Sequence, residues 1–166
     1  RDAALDGSIR AFDKALGRNP VSVTGHFYLG QALLLRNYLR ADKNRPYFDE
    51  YRKAAELTGH NTELYFESGK VLLSKWAGLD DREKAFTRDI LKKALAGRDL
   101  RRLYDVLEIW LLHSGNPTVI ESVMPEDPAV LRFYAGFLGA KSFDIQPRLR
   151  ALAGAESSPL TAAQGR

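Results

Sequence analysis

The chain has 166 residues, of which 45% are hydrophobic, 10% aromatic and 28% charged, and its formal net charge is +4. This composition fits a globular unit with a sizeable core, excludes general disorder, and does not favour nucleic acid as a partner. The absence of cysteine excludes disulfides and thiol catalysis, and no apolar run is long enough to predict a membrane span in this fragment.

Apolar residues recur at helical spacing along almost the whole chain, which predicts an all-α fold. The first stripe, which comprises Ala4, Leu5, Ile9, Phe12, Ala15 and Leu16, ends at Asn19-Pro20. Further helices are predicted over about 22–40, 46–58, 62–77, 81–96, 100–113, 117–123 and 128–140, with a weak one over 146–153. The helix over 100–113, which contains Tyr104, is predicted to be the most buried. Asn61, Asp80 and Asp99 are the expected N-caps, and Glu83 completes a capping box with Asp80.

Two segments of the chain resemble each other at a fixed spacing. YLGQALL, residues 28–34, aligns with ESGKVLL, residues 67–73, so that Gly30 lies over Gly69. Ala15, Ala54 and Ala94 follow with spacings of 39 and 40 residues, each in a second helix that is then broken. A glycine costs a helix about 1 kcal/mol relative to alanine, and a close crossing of two helices explains why it is kept. The pattern therefore predicts pairs of helices in contact at Gly30 and Gly69.

In these residues the chain resembles the tetratricopeptide repeat family. Leu29-Gly30 and Leu33 match the first helix of that repeat, Gly69 and Leu72 match it again, and Ser68 departs from it. The resemblance implies a right-handed superhelix, or solenoid, of about three to four antiparallel helix pairs. The family period is about 34 residues, whereas the shift here is 39 to 40. The additional residues fall around 41–45 and 77–81.

This phasing predicts one solenoid domain over residues 1–153 and a disordered tail over 154–166. Within the domain, residues 1–20 form a partial repeat, 21–59 and 60–98 form full repeats, and 99–153 form divergent or capping helices. Because the chain begins inside an amphipathic pattern without an initiator methionine, we interpret it as a fragment of a longer protein.

No catalytic constellation is visible in the sequence. The three histidines, His26, His60 and His113, have no partner at metal-ligand spacing, and His26 is expected to pack between helices. Gly69-Lys70 does not complete a phosphate-binding loop, because Val71 stands where that loop requires Ser or Thr. The prediction is a protein that is not an enzyme and needs no metal or cofactor.

The resemblance implies a concave groove lined by the first helix of each repeat. The residues in that phase are Phe27, Gln31, Leu34, Glu63, Phe66, Glu67, Lys70, Arg102, Asp105 and Ile109. Their mix of charge and aromatic rings suits a protein or peptide partner, either an extended segment or a helix. The alternative is a solvated helical face. The family's carboxylate-clamp variants are not carried over, because Lys70 is the one base among these candidates in the first two helices.

Three other hypotheses stay open. The chain is alternatively an accessory domain of a larger bacterial cell-envelope or polysaccharide-assembly protein, in the cytoplasm or the periplasm. Residues 36–53 interleave basic and aromatic side chains, as in a surface that binds an anionic polymer, although their spacing also fits a core and a solvated loop. Finally, an apolar edge at Ile9 and Phe12 predicts a homodimer through the N-terminal helix.

Overall fold

The computed structural model describes residues 2–40 and 46–141, and over these ranges the fold is all-helical, without a β-strand. The all-α prediction is confirmed. The expectations for residues 41–45, for the weak helix over 146–153 and for the tail over 154–166 lie outside the described residues. The helices are α1 Asp2–Arg18, α2 Val23–Arg40, α3 Pro46–Leu57, α4 Thr62–Leu73, α5 Asp81–Leu95, α6 Leu100–His113, α7 Pro117–Glu121 and α8 Pro128–Ala140.

The helix starts follow the predicted caps. The Asn61 side chain accepts hydrogen bonds from the backbone N–H groups of Glu63 and Leu64, at 3.1 and 3.2 Å. Asp80 and Glu83 form a complete capping box in front of α5. Each such cap satisfies backbone donors that the helix cannot pair and contributes about 1 kcal/mol.

The end of α4 differs from the prediction, because the helix stops at Leu73 rather than near residue 77. The Ser74 hydroxyl donates to the Val71 carbonyl at 2.7 Å, and the Lys75 N–H bonds back to Leu72 at 3.0 Å. In both bonds the donor lies three residues after the acceptor, and the backbone bond from Lys75 has the 3-10 spacing, which tightens the last turn of the helix. A 3-10 turn, Trp76–Gly78, follows and buries the indole ring of Trp76.

The chain divides into two compact units, with the boundary between Pro125 and Glu126. The first unit holds α1 to α7. The second contains α8, whose N-cap Asp127 accepts from the N–H groups of Ala129 and Val130. The predicted extension of one domain to residue 153 stays a prediction, and the features that follow all lie in the first unit.

Two helical hairpins, α2–α3 and α4–α5, account for the most extensive helix packing in the first unit. A Cβ atom placed on Gly30 would lie 3.3 Å from the ring of Tyr51, and one on Gly69 would lie 2.6 Å from the Leu91 Cδ2 atom. Both facing side chains are 0% exposed, so neither can turn away into solvent. The predicted role of Gly30 and Gly69 as contact points between paired helices is confirmed.

A second contact repeats in the two hairpins. The His26 Nε2 atom is 2.8 Å from the Pro20 carbonyl oxygen, and the Tyr65 hydroxyl donates to the Gly59 carbonyl oxygen. In each bond the donor and the acceptor lie six residues apart. Tyr65 lies 39 residues after His26, and Gly59 lies 39 residues after Pro20. The first turns of α2 and α4 are thus anchored to the preceding loop in the same way, which we call the carbonyl anchor.

The first hairpin contains a buried polar pair. His26 Nδ1 lies 2.6 Å from Glu50 Oε2, and Glu50 Oε1 accepts from Lys53 at 2.7 Å. A carbonyl oxygen can only accept, so the Nε2 atom of His26 donates in the bond to Pro20. His26 therefore packs between helices, as predicted. A shift of 40 places Ile90 at the position of Glu50, so the second hairpin has an apolar side chain there.

The homodimer hypothesis expects an exposed apolar edge on α1, at Ile9 and Phe12. Ile9 is 5% exposed, and the Phe12 ring is half-buried and stacks on Tyr28 at 6.4 Å. Arg40 donates to Asp6 at 2.7 Å, which joins α1 to α2 and holds the pKa of Asp6 below its ordinary value. The expected apolar edge at Ile9 is therefore wrong, because α2 packs against that side of α1.

The prediction that α6 is the most buried helix is wrong, because four of its 14 residues are buried, against six of 12 in α3 and six of 12 in α4. The core face of α6 consists of Leu103, Val106, Leu107 and Trp110, as expected, but Tyr104 is exposed rather than buried. The buried positions 103, 106, 107 and 110 follow the helical period and form one stripe. Tyr104 lies outside that stripe and is therefore exposed.

Replacing Gly69 by alanine is expected to lower the free energy of unfolding by about 1–3 kcal/mol, because the new methyl group meets the immobile Leu91 side chain. Gly7→Ala is the matched control, since no atom lies within 4 Å of a Cβ atom placed there. It is expected to stabilise α1 by about 0.5–1 kcal/mol. Urea denaturation of both variants measures the difference, and equal effects at the two positions would contradict the close approach.

The His26→Ala substitution is expected to cost about 2–4 kcal/mol, because Glu50 loses its buried partner. The double variant His26→Tyr with Glu50→Ile copies the residues of the second hairpin into the first. We expect it to recover most of the lost stability, since a tyrosine hydroxyl can donate to the Pro20 carbonyl as Tyr65 does to Gly59. Thermal and urea unfolding test this, and a double variant less stable than His26→Ala would refute the equivalence.

Candidate binding cleft between α2 and α4

A cleft with a volume of about 210 Å³ opens between the N-terminal halves of α2 and α4. Both helices present residues three and four apart to it, which is the spacing that places side chains on one helical face. The lining residues are Thr24, Phe27 and Tyr28 from α2, and Asn61, Glu63, Leu64 and Glu67 from α4 and its cap.

The α2 wall of the cleft is aromatic. Tyr28 is 48% exposed and lies 5.7 Å from Phe27 in an edge-to-face arrangement. Phe27 is half-buried and contacts Tyr51 edge-on at 5.6 Å. Phe12 stacks on Tyr28, so aromatic contacts join the wall to α1 as well as to α3.

The α4 wall of the cleft carries two carboxylates. Glu63 forms an ion pair of 2.6 Å with Arg102 on α6, and Glu67 forms one of 2.7 Å with Lys70 on the next turn of α4. Each of these bonds uses one carboxylate oxygen, and an ionised carboxylate accepts several hydrogen bonds. Neither Arg102 nor Lys70 is among the residues that line the cleft.

The two cations that pair with these carboxylates share an aromatic ring. The Lys70 Nζ atom lies 4.2 Å from the centroid of the Phe66 ring, and the Arg102 guanidinium carbon lies 5.3 Å from it. Phe66 itself is 5% exposed. It therefore supports α4 and α6 through cation–π contacts and offers little surface to a partner.

The buried side chain of Tyr51 contacts one residue of the cleft. Its ring lies edge-on to Phe27, while Tyr51 itself does not line the cleft. Tyr51 is 0% exposed, and within the part of the chain that the structure describes its oxygen has no hydrogen-bond partner. Burial, and secondly the negative charge of Glu67, raise the pKa of Tyr51 above its ordinary value of 10.0.

The ten groove residues predicted from the sequence fall into three groups. Phe27, Glu63 and Glu67 line the cleft, while Phe66, Lys70 and Arg102 form the adjacent cluster of cations around one ring. The remaining four lie on α2 and α6 outside the lining: Gln31 and Asp105 are exposed, and Leu34 and Ile109 are half-buried.

Sequence reasoning missed Thr24, Tyr28, Asn61 and Leu64. Asn61 was interpreted as a helix cap, which it is, and Tyr28 as part of the repeat pattern. One signal was present in the sequence, because Tyr28 directly follows the candidate Phe27. Two aromatic residues that are adjacent on a helix point in different directions, and both can line a cleft when the partner helix lies between those two directions.

Among its described residues the segment 36–53 has one exposed aromatic side chain, Tyr38, which is 77% exposed. Tyr47, Phe48 and Tyr51 are buried, as their core spacing indicated, so these rings are not available for stacking on a polymer. Arg52 pairs with Asp49 and Glu56, at 3.1 and 3.5 Å. Lys43 and Arg45 lie outside the described residues.

Neither a metal site nor a membrane-spanning helix is present among the described residues. Within residues 2–40 and 46–141, no group of three His, Asp or Glu side chains could hold a metal ion. No helix in those ranges is both long and apolar enough to cross a membrane. Comparisons with protein-family models, with curated proteins and with solved structures gave no match. The cleft is therefore the feature of the molecule that indicates a function.

The Tyr51→Phe substitution is expected to raise the free energy of unfolding by about 1 kcal/mol at neutral pH, because it removes a buried hydroxyl without a partner. Tyr65→Phe is the control, since the Tyr65 hydroxyl donates to Gly59 and its loss should destabilise the protein. A destabilised Tyr51→Phe protein would show that the hydroxyl is bonded in solution.

The same variant should also change the response to high pH. The raised pKa means that folded Tyr51 keeps its proton where the unfolded tyrosine, with an ordinary value of 10.0, loses it. The folded state then binds more protons, so stability falls as pH rises above about 10. We expect the stability gap between Tyr51→Phe and the parent protein to widen over that range in urea titrations, and a constant gap would contradict this.

Proposed function

We propose that this protein is a non-catalytic scaffold that binds a segment of another protein along the face formed by α2, α4 and α6. The observation that carries the proposal is the cleft between α2 and α4, which combines an exposed aromatic wall with a polar rim. Protein-binding sites have this composition, with aromatic anchors at the centre and polar groups around them.

The size of the cleft favours a side chain of a larger partner over a free small molecule. Sites for small molecules usually have volumes of about 300–1,000 Å³, whereas the cleft holds about 210 Å³. The rest of a bound segment would extend towards α6, to which α4 is joined by the ion pair between Glu63 and Arg102.

We also propose that the two hairpins belong to a superhelix similar to that of tetratricopeptide repeats. Four features support this arrangement: the contacts at Gly30 and Gly69 and the carbonyl anchors at His26 and Tyr65. In this arrangement α2, α4 and α6 are successive first helices of the repeats, and their shared face is the one that binds in proteins of that family.

A peptide selection tests the proposal. The protein would be screened against a library of random peptides, and binders would be measured again with Tyr28→Ala, which removes the exposed ring of the aromatic wall. We expect an affinity loss of about tenfold or more, because a central aromatic anchor is removed.

Tyr38→Ala is the matched control, since it makes the same change on the same helix, and Tyr38 is 77% exposed and does not line the cleft. Circular dichroism shows whether both variants stay folded. If the selected peptides bind both variants as tightly as the parent protein, or if no peptide binds, the cleft is not the binding site.

A further inference from the structure

We infer that the cleft between α2 and α4 takes the side chain of a lysine or arginine from the bound segment. This inference rests on the proposed function and names the chemistry of the partner at that site. The cation would lie between the carboxylates of Glu63 and Glu67, and its aliphatic stem would lie on the aromatic wall of Phe27 and Tyr28.

The residues lining the cleft that are charged at neutral pH, Glu63 and Glu67, are both acidic, and each pairs with its own cation through one carboxylate oxygen. These cations, Arg102 and Lys70, lie over the Phe66 ring and do not line the cleft. A positive side chain of a partner can therefore bond to the second oxygen of each carboxylate, whereas an acidic side chain meets no cation among the lining residues.

The shape of the cleft fits a long basic side chain. Lysine and arginine combine an apolar stem with a charged end, and such side chains lie along apolar surface with the charge at a polar rim. Phe27 and Tyr28 offer the apolar surface, and their rings also attract a cation that lies over them. The volume of about 210 Å³ suits one side chain rather than two.

The test uses pairs of short synthetic peptides from the selection with Tyr28-dependent binding. In each pair one peptide contains lysine, and the other contains Nε-acetyl-lysine at the same position, which removes the charge and keeps the stem. Affinities are measured for the parent protein, for Glu63→Gln with Glu67→Gln, and for the control Glu56→Gln. The control changes an acidic side chain on α3 that is 55% exposed and lies outside the cleft.

We expect selected peptides to be rich in lysine and arginine, and acetylation to weaken binding to the parent protein by about tenfold or more. The Glu63→Gln with Glu67→Gln protein should bind both members of a pair about equally, whereas Glu56→Gln should behave like the parent protein. Higher salt should weaken the lysine peptides more than the acetylated ones.

Two results would overturn the inference, and they differ from each other. If binding depends on Tyr28 but is unchanged by acetylation, or favours acidic peptides, the basic side chain is wrong while the proposed function stands. If no peptide shows Tyr28-dependent binding, the proposed function fails and this inference fails with it.

Discussion

The structure of the first unit depends on how closely paired helices approach each other at Gly30 and Gly69. At both positions the absence of a side chain lets a large buried residue, Tyr51 or Leu91, lie directly against the helix backbone. The cost of a glycine inside a helix, about 1 kcal/mol, is small beside the apolar surface that such a crossing removes from water. The position of Tyr51, and with it Phe27 and the aromatic wall, follows from this approach.

Much of the fold could be predicted from the sequence because its signals are local. Helical spacing, the caps at Asn61, Asp80 and Asp99, and the prolines at helix starts depend on a few neighbouring residues, and the structure contains them. The end of α4 could not be predicted in this way, because hydrogen bonds of Ser74 and Lys75 and the burial of Trp76 decide it. The cover over Ile9 is likewise a property of packing.

The site was predicted only in part, for a physical reason. Repeat phase identifies which face of a helix points to the groove, and it found Phe27, Glu63 and Glu67. It cannot tell whether a ring on that face is open or occupied, and Phe66 is occupied by two cations from different helices. Nor does it show that His26 and Glu50 are paired, since their positions are 24 residues apart and on separate helices.

The carbonyl anchor has a consequence for how such a chain can change in evolution. In each hairpin the donor, His26 or Tyr65, and the accepting carbonyl lie six residues apart, so the angle at which the chain enters the hairpin is fixed locally. A duplicated hairpin would carry this angle with it and would need no matching change in its neighbour. His26 and Tyr65 make the same anchor although Glu50 and Ile90 stand at the corresponding interior positions, so the anchor does not depend on the chemistry inside the hairpin.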